Sequence, residues 1–252
     1  MKKSTAFFLA IVLLFVCSAC GSERAVQTEG KATETIIPTS TPDPTPETPK
    51  VAYEITYSNF RLYKNSIGTV WGQTIVEFEN TGTSDLYLSA GSYDIETADG
   101  SLAAAKTLVS EYPSVLKPGE RGYMYEETTF EDLEVDSEYT LIPRINAEAA
   151  KVDCIEFEIT DFQLKNDTFS DLSAVGRVTN TSDEEQSWIY IIAVLKNSEG
   201  TPIGILSDIV TETLAPSDKI GFEMSAWMLP DDVTLDSVAD CSLFAYPNQF
   251  QF

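Results

Sequence analysis

The chain has 252 residues, enough for one large or two small domains with cores of their own. Its 40 acidic against 16 basic residues give a net charge of −24, which makes nucleic acid a poor partner and speaks to solubility more than to fold. It contains no histidine, which removes the commonest general base and transition-metal ligand and, with them, Ser-His-Asp and Cys-His catalysis.

In chain order, Lys2 and Lys3 precede the apolar run STAFFLAIVLLFVC, too short for a comfortable membrane span and the right length for the apolar part of a signal peptide. Residues 1–19 are therefore predicted to be an export signal. Small Ser18 and Ala19 then lead into Cys20. This layout resembles the lipobox of bacterial lipoproteins, where the peptide is cut before a cysteine that carries diacylglycerol, although Cys17 stands where leucine is usual. The resemblance implies that Cys20 becomes the first mature residue and the lipid anchor, and that Cys17 leaves with the peptide. Neither is then a metal or redox site. An ordinary secretory signal cleaved after Ala19, or an uncleaved anchor, is the alternative. Loss of residues 1–19 takes Lys2 and Lys3 and no acid, so 16 basic residues become 14 against 40 acids and the net charge moves to −26. An anionic membrane surface would repel such a chain, which leaves the acyl groups as its hold on the bilayer.

Residues 20–50 are polar and end PTSTPDPTPETPK, with almost nothing to bury; they are expected to form an extended, semi-stiff tether at about 3 Å per residue. Beyond Lys50 short alternating runs are bounded by Asn, Gly, Asp and Pro, the mark of strands and turns. TIVEFEN (Thr74–Asn80), LYLSAGSYDIE (Leu86–Glu96), RGYMYEE (Arg121–Glu127) and CIEFEIT (Cys154–Thr160) are examples. Only Ser101–Tyr112 allows a helix, and its place between turn signals suits a strand or loop equally.

The second half repeats the first at a spacing of about 100 residues. FRLYK at Phe60 returns as FQLKN at Phe162, and VEFENTGTSD (Val76–Asp85) as GRVTNTSDEE (Gly176–Glu185). The Asp99-Gly100 turn returns as Glu199-Gly200, and VLKPGERGYMYE from Val115 as TLAPSDKIGFEM from Thr213. The landmarks keep one order, so residues 51–150 and 151–252 are predicted to be two copies of one domain. Each is expected to be an immunoglobulin-like β-sandwich of about seven strands, giving an all-β chain of two tandem sandwiches. With only Lys151–Asp153 as linker, a semi-rigid rod is expected.

Phe60, Leu62 and Tyr63, the Asn-Thr strand end, the acidic-Gly turn and the Leu116-x-Pro118-Gly119-Glu120 turn resemble the FxLYD domain of prokaryotic surface proteins. That resemblance implies an Ig-like sandwich with no known catalytic residues. The second copy departs from it at Lys165 and at Pro216-Ser217-Asp218.

Cys154 and Cys241 fall on the first and last predicted strands of the second copy, and oxidation outside the cytoplasm would favour a disulfide there; two buried thiols are the alternative. No nucleophile elbow, P-loop or dinucleotide fingerprint occurs, so the chain is expected not to be an enzyme and to need no cofactor. Acids cluster at Glu126–Glu138, Asp183–Glu185 and Asp231-Asp232, but none fits a twelve-residue calcium loop, and weak Ca²⁺ binding stands as the lesser reading beside a solvated strand face. The aromatics around Trp188, Tyr190 and Trp227 are expected in the core, the other reading being an exposed platform for sugars or a protein. The function these features favour is a lipid-anchored, non-catalytic binding or spacer module for an envelope protein or glycan, with a solute- or ion-binding lipoprotein as the alternative.

Overall fold

The computed structural model describes residues 49–167, 171–226 and 228–250, which belong to one compact unit. The export signal, Cys20, nearly all of the tether and Trp227 lie outside the described residues. The first copy runs β1 (Tyr53–Lys64), β2 (Val70–Asn80), β3 (Leu86–Thr97), β4 (Leu102–Tyr112), β5 (Val115–Leu116), β6 (Arg121–Thr129) and β7 (Tyr139–Ala149). The second runs β8 (Glu158–Asp167), β9 (Asp171–Thr179), β10 (Ile189–Lys196), β11 (Pro202–Val210), β12 (Lys219–Ser225) and β13 (Asp240–Pro247). The chain is all-β, as expected, and Leu102–Tyr112 is a strand. CIEFEIT is only partly one, because β8 begins at Glu158.

In the first copy β4 holds the two layers together. Leu102–Val109 pairs with β3, whereas Ser110–Tyr112 pairs with β6, and the strand turns between the layers at Leu108, whose φ is 62°. One layer is therefore β1-β2-β6 with the end of β4; the other is β7-β3-β4 with β5. Between them lie Val76 and Phe78 of β2, Met124 of β6, and Leu86, Leu88, Tyr93 and Ile95 of β3. The buried set on β3 changes parity between Leu88 and Tyr93 because the ladder slips at Ser89–Ser92. A side chain at Gly91 in that bulge would meet Glu111 Oε1 at 2.2 Å and the Arg144 carbonyl at 2.8 Å, so only glycine fits.

The second copy repeats the plan with β11, which pairs along its length with β10 and touches β12 at Ser207 and Ser225. Its core takes Ile189, Ile191, Ala193 and Leu195 of β10 together with Leu172, Ala174 and Val178 of β9.

The repeat holds to the level of single hydrogen bonds. Asn80 is buried, donates through Nδ2 to the carbonyls of Ser84 and Leu116, both at 2.9 Å, and accepts from Gly82 N–H. Asn180 donates to the carbonyls of Glu184 and Leu214, both at 2.8 Å, and accepts from Ser182 N–H. The asparagine of the Asn-Thr landmark thus ties a strand end to its following loop and to the turn near β5 or its counterpart. In that turn Glu120 accepts from Lys117 N–H and Asp218 from Ala215 N–H, so Pro-Gly-Glu and Pro-Ser-Asp make the same structure. Gly119 and Ser217 both sit in the left-handed region, at φ 80° and 69°, an easy position for glycine and a costlier one for serine.

Candidate functional site

β2 and β10 are buried on both faces, which a free sandwich does not require of its strands. On β10, Ile192 and Val194 point away from the core of their own copy. They cluster with Ile205 of β11, Tyr246 of β13 and Tyr123 of β6 in the other copy, with Tyr112, Tyr125, Tyr190 and Phe244 packed around them. The copies therefore meet through the outer faces of their sheets as well as through the linker. This is a closer association than the rod expected from linker length, and apolar burial between the faces favours it.

The two faces differ in chemistry. The second copy supplies an apolar surface, and the first a partly buried polar network centred on the buried Gln73. Arg61 Nε donates to Gln73 Oε1 at 2.8 Å, Gln73 Nε2 donates to Tyr125 Oη and Glu127 Oε1, both at 3.3 Å, and Tyr125 Oη donates to Glu127 Oε1 at 2.5 Å. Burial pushes the Glu127 carboxyl up to about 7, against the opposing pull of these donors, the Met228 N–H and Arg61. Arg61 crosses to the second copy, donating to both oxygens of Asp232 at 2.9 and 2.8 Å, and Tyr63 donates to the Met228 carbonyl. Nearer the linker, Glu77 is buried and accepts from Arg121 Nη1 at 2.8 Å, Tyr123 Oη at 2.9 Å and Thr56 Oγ1 at 2.8 Å. Each of its oxygens has a donor, as a buried carboxylate requires.

A cavity of about 430 Å³ opens between the copies at this end. Arg121 and Tyr123 line it from the first copy; Lys196, Ser242, Phe244 and Tyr246 line it from the second. The rings of Tyr123 and Phe244 lie 6.0 Å apart and tilted by 58°, and Lys196 Nζ stands 5.8 Å from the Tyr123 ring centre, within reach of a cation–π attraction. Glu120 and Glu156 also border it, with Lys117 hydrogen-bonded to Glu156 and 4.0 Å from Glu120 Oε1. This is the best-formed candidate for a binding site, a concave mixture of rings and a few charged groups between two packed bodies.

Neither residue of the expected disulfide lies in that cavity, and the structure does not join them. Cys154 and Cys241 are both free and half-buried. Phe157 N–H donates to the Ala245 carbonyl, and Gln249 donates to the Asp153 carbonyl, so the segment before β8 runs antiparallel along the end of β13. Cys154 then falls near Asn248, about seven residues or ~20 Å along the strand from Cys241, far beyond disulfide reach. The repeat locates the correct neighbouring segments; it does not locate the height along them. Cys154 Sγ instead lies 3.4 Å from Glu156 Oε1, and burial pushes its thiol up to about 12 and that of Cys241 up to about 11. Such thiols hold little thiolate and react poorly.

Trp188 departs from the expected core position. It precedes β10 with φ 54° and is 55% exposed, while Tyr190 is half-buried and stacks on Tyr246 at 5.7 Å. Among the described residues no group of three or more His, Cys, Asp or Glu side chains comes together as a metal site, so the acidic stretches do not converge there. The docked faces are the feature missed in the sequence, although IYIIAVL carried a signal for them: seven consecutive apolar residues in an antiparallel strand imply burial on both sides. No protein-family model matches the chain, and no curated protein is significantly similar to it.

Proposed function

We propose that the chain is a lipid-anchored protein of a bacterial surface whose two FxLYD-like sandwiches act together, without catalysis, as a binding or spacer block for an envelope protein or glycan. The observation that carries this reading is the docking of the two copies: a pair fused through buried faces holds whatever it presents in a fixed geometry, as a scaffold needs and a flexible string of beads lacks. The basic-then-apolar start and Cys20 support the anchor, and the Pro/Thr-rich stretch supports a tether long enough to raise the block off the bilayer. Palmitate labelling and globomycin treatment of producing cells test the anchor. Cys20→Ala is expected to abolish labelling and release the protein from membranes; labelling or retention unchanged from the parent would refute it. Crosslinking in living cells followed by mass spectrometry of the captured material tests the scaffold role, with one recurring envelope protein or glycan as the expected catch.

The cavity between the copies favours a second reading, a solute-binding lipoprotein that holds its ligand between two sandwiches. Its calcium version has less support, since no acidic cluster converges among the described residues. An unchanged melting curve in millimolar Ca²⁺ is expected.

A further inference from the structure

The charged groups around the cavity are not all paired. Arg121 is engaged by Glu77, which it holds at 2.8 Å. Lys117 bonds Glu156 and stands 4.0 Å from Glu120, one cation beside two carboxylates. Lys196 is left over: no carboxylate among the described residues forms an ion pair with it, Asp240 directly across the ladder included, and its ammonium stands over the Tyr123 ring instead. In a chain with 40 acidic and 16 basic side chains, a cavity-lining lysine that forms no ion pair among the described residues is a handle for a ligand's acid group.

From this arrangement we infer that the cavity binds a small ligand carrying one carboxylate next to a ring, with the carboxylate on Lys196 and the ring against Phe244. A compact ammonium on a flexible stem suits a single negative charge approached from several directions. A doubly charged phosphate would have only that one unpaired cation while facing Glu120 and Glu156. Tyr123 is buried beneath this wall and holds Phe244 in a tilted pair, so the half-buried Phe244 ring is the surface offered to a flat or saturated ring. The cavity volume, about 430 Å³, admits a molecule of one or two rings. This inference rests on the solute-binding reading and sharpens it. A sugar acid and an aromatic acid share the chemistry, and the experiment separates them.

The test is an NMR titration of the full-length protein with two matched pairs: N-acetylmuramic acid against neutral N-acetylglucosamine, and 3-phenylpropionate against 3-phenylpropanol. Saturable shifts at Tyr123, Lys196 and Phe244 are expected from at least one acid, with affinity about tenfold above its neutral partner and falling as salt rises. The acid that binds more tightly identifies the ring. Lys196→Gln is expected to erase the tenfold preference, whereas Lys165→Gln, at a lysine paired with Glu223 on the second copy's surface, is expected to leave it intact. A parent protein that takes acid and neutral partner alike, or a preference that survives Lys196→Gln, overturns the carboxylate assignment and leaves solute binding standing. If none of the four compounds shifts the cavity, the inference fails and the solute-binding reading loses its support as well.

Discussion

The two copies share a frame and differ in what they present. Both close a strand end with a buried asparagine, both turn with an acid that accepts a backbone N–H, and both pass one strand between layers. Outside that frame the first copy buries two carboxyls, Glu77 and Glu111, and half-buries a third, Glu127, whereas the second turns Ile192, Val194 and Ile205 outward. The difference teaches that the internal repeat conserves hydrogen-bonded closures and leaves the outer faces free to become complementary. A face of hydrogen-bonded polar groups on one copy and an apolar face on the other dock as unlike partners, not as a symmetric pair.

If the shared frame is real, its closures must matter equally. Asn80→Ala and Asn180→Ala each remove two buried donors and one acceptor, and each is expected to cost about 3 kcal/mol in chemical denaturation. A loss confined to one copy would break the comparison.

Glu111 is peculiar to the first copy. It accepts from Asn146 N–H at 3.1 Å through Oε1, while Oε2 is buried without a partner. Burial pushes its carboxyl up to about 8 from an ordinary 4.5. The fold therefore favours the protonated form, so the stability it contributes is complete below pH 4.5 and is lost as pH rises through about 8. Glu111→Gln keeps the acceptor for Asn146 and cannot ionise; it is expected to be more stable than the parent by about 2 kcal/mol near pH 9 and equal to it near pH 4. A gain that does not depend on pH would assign the effect to packing.

Glu127 sharpens the contrast at the docked faces. Its carboxyl is raised from 4.5 to about 7, so its contribution is likewise present below 4.5 and lost as pH rises through about 7. Because Tyr125, Gln73 and the Met228 N–H already solvate the carboxylate, Glu127→Gln is expected to gain only about 1 kcal/mol near pH 8.5, read from the pH dependence of denaturation. The smallest effect is Ser217→Gly, which gives the second copy the residue the first already has at a left-handed position and is expected to gain about 0.5–1 kcal/mol. Gly119→Ser is expected to lose a similar amount.

The fold was legible because strand alternation and turn residues act locally. Thr74–Asn80 and Arg121–Glu127 are strands where the alternation places them, and the landmarks of the repeat fall on equivalent hydrogen bonds. What escaped depends on three-dimensional placement. The outward side of IYIIAVL looks like more core until a second copy is seen to cover it. Cys154 and Cys241 share neighbouring segments in the repeat, but the slack before β8 sets them at opposite ends. Trp188 belongs to an apolar run yet takes a left-handed φ at the strand entry, which turns it out to solvent. The place of Lys196 over the Tyr123 ring of the other copy depends on the docked faces, which no linear pattern records.

The docking of the two copies is tested most directly by nuclear Overhauser contacts between the rings of Tyr123 and Phe244, one from each copy. Their centres lie 6.0 Å apart, similar to the Tyr53–Phe78 and Phe60–Tyr139 pairs within the first copy at 6.0 and 6.2 Å, which serve as internal standards. Cross-peaks between Tyr123 and Phe244 comparable to those standards are predicted. Strong peaks from both standards with none from Tyr123–Phe244 would mean that the faces do not dock, and would contradict the account of a single fixed block.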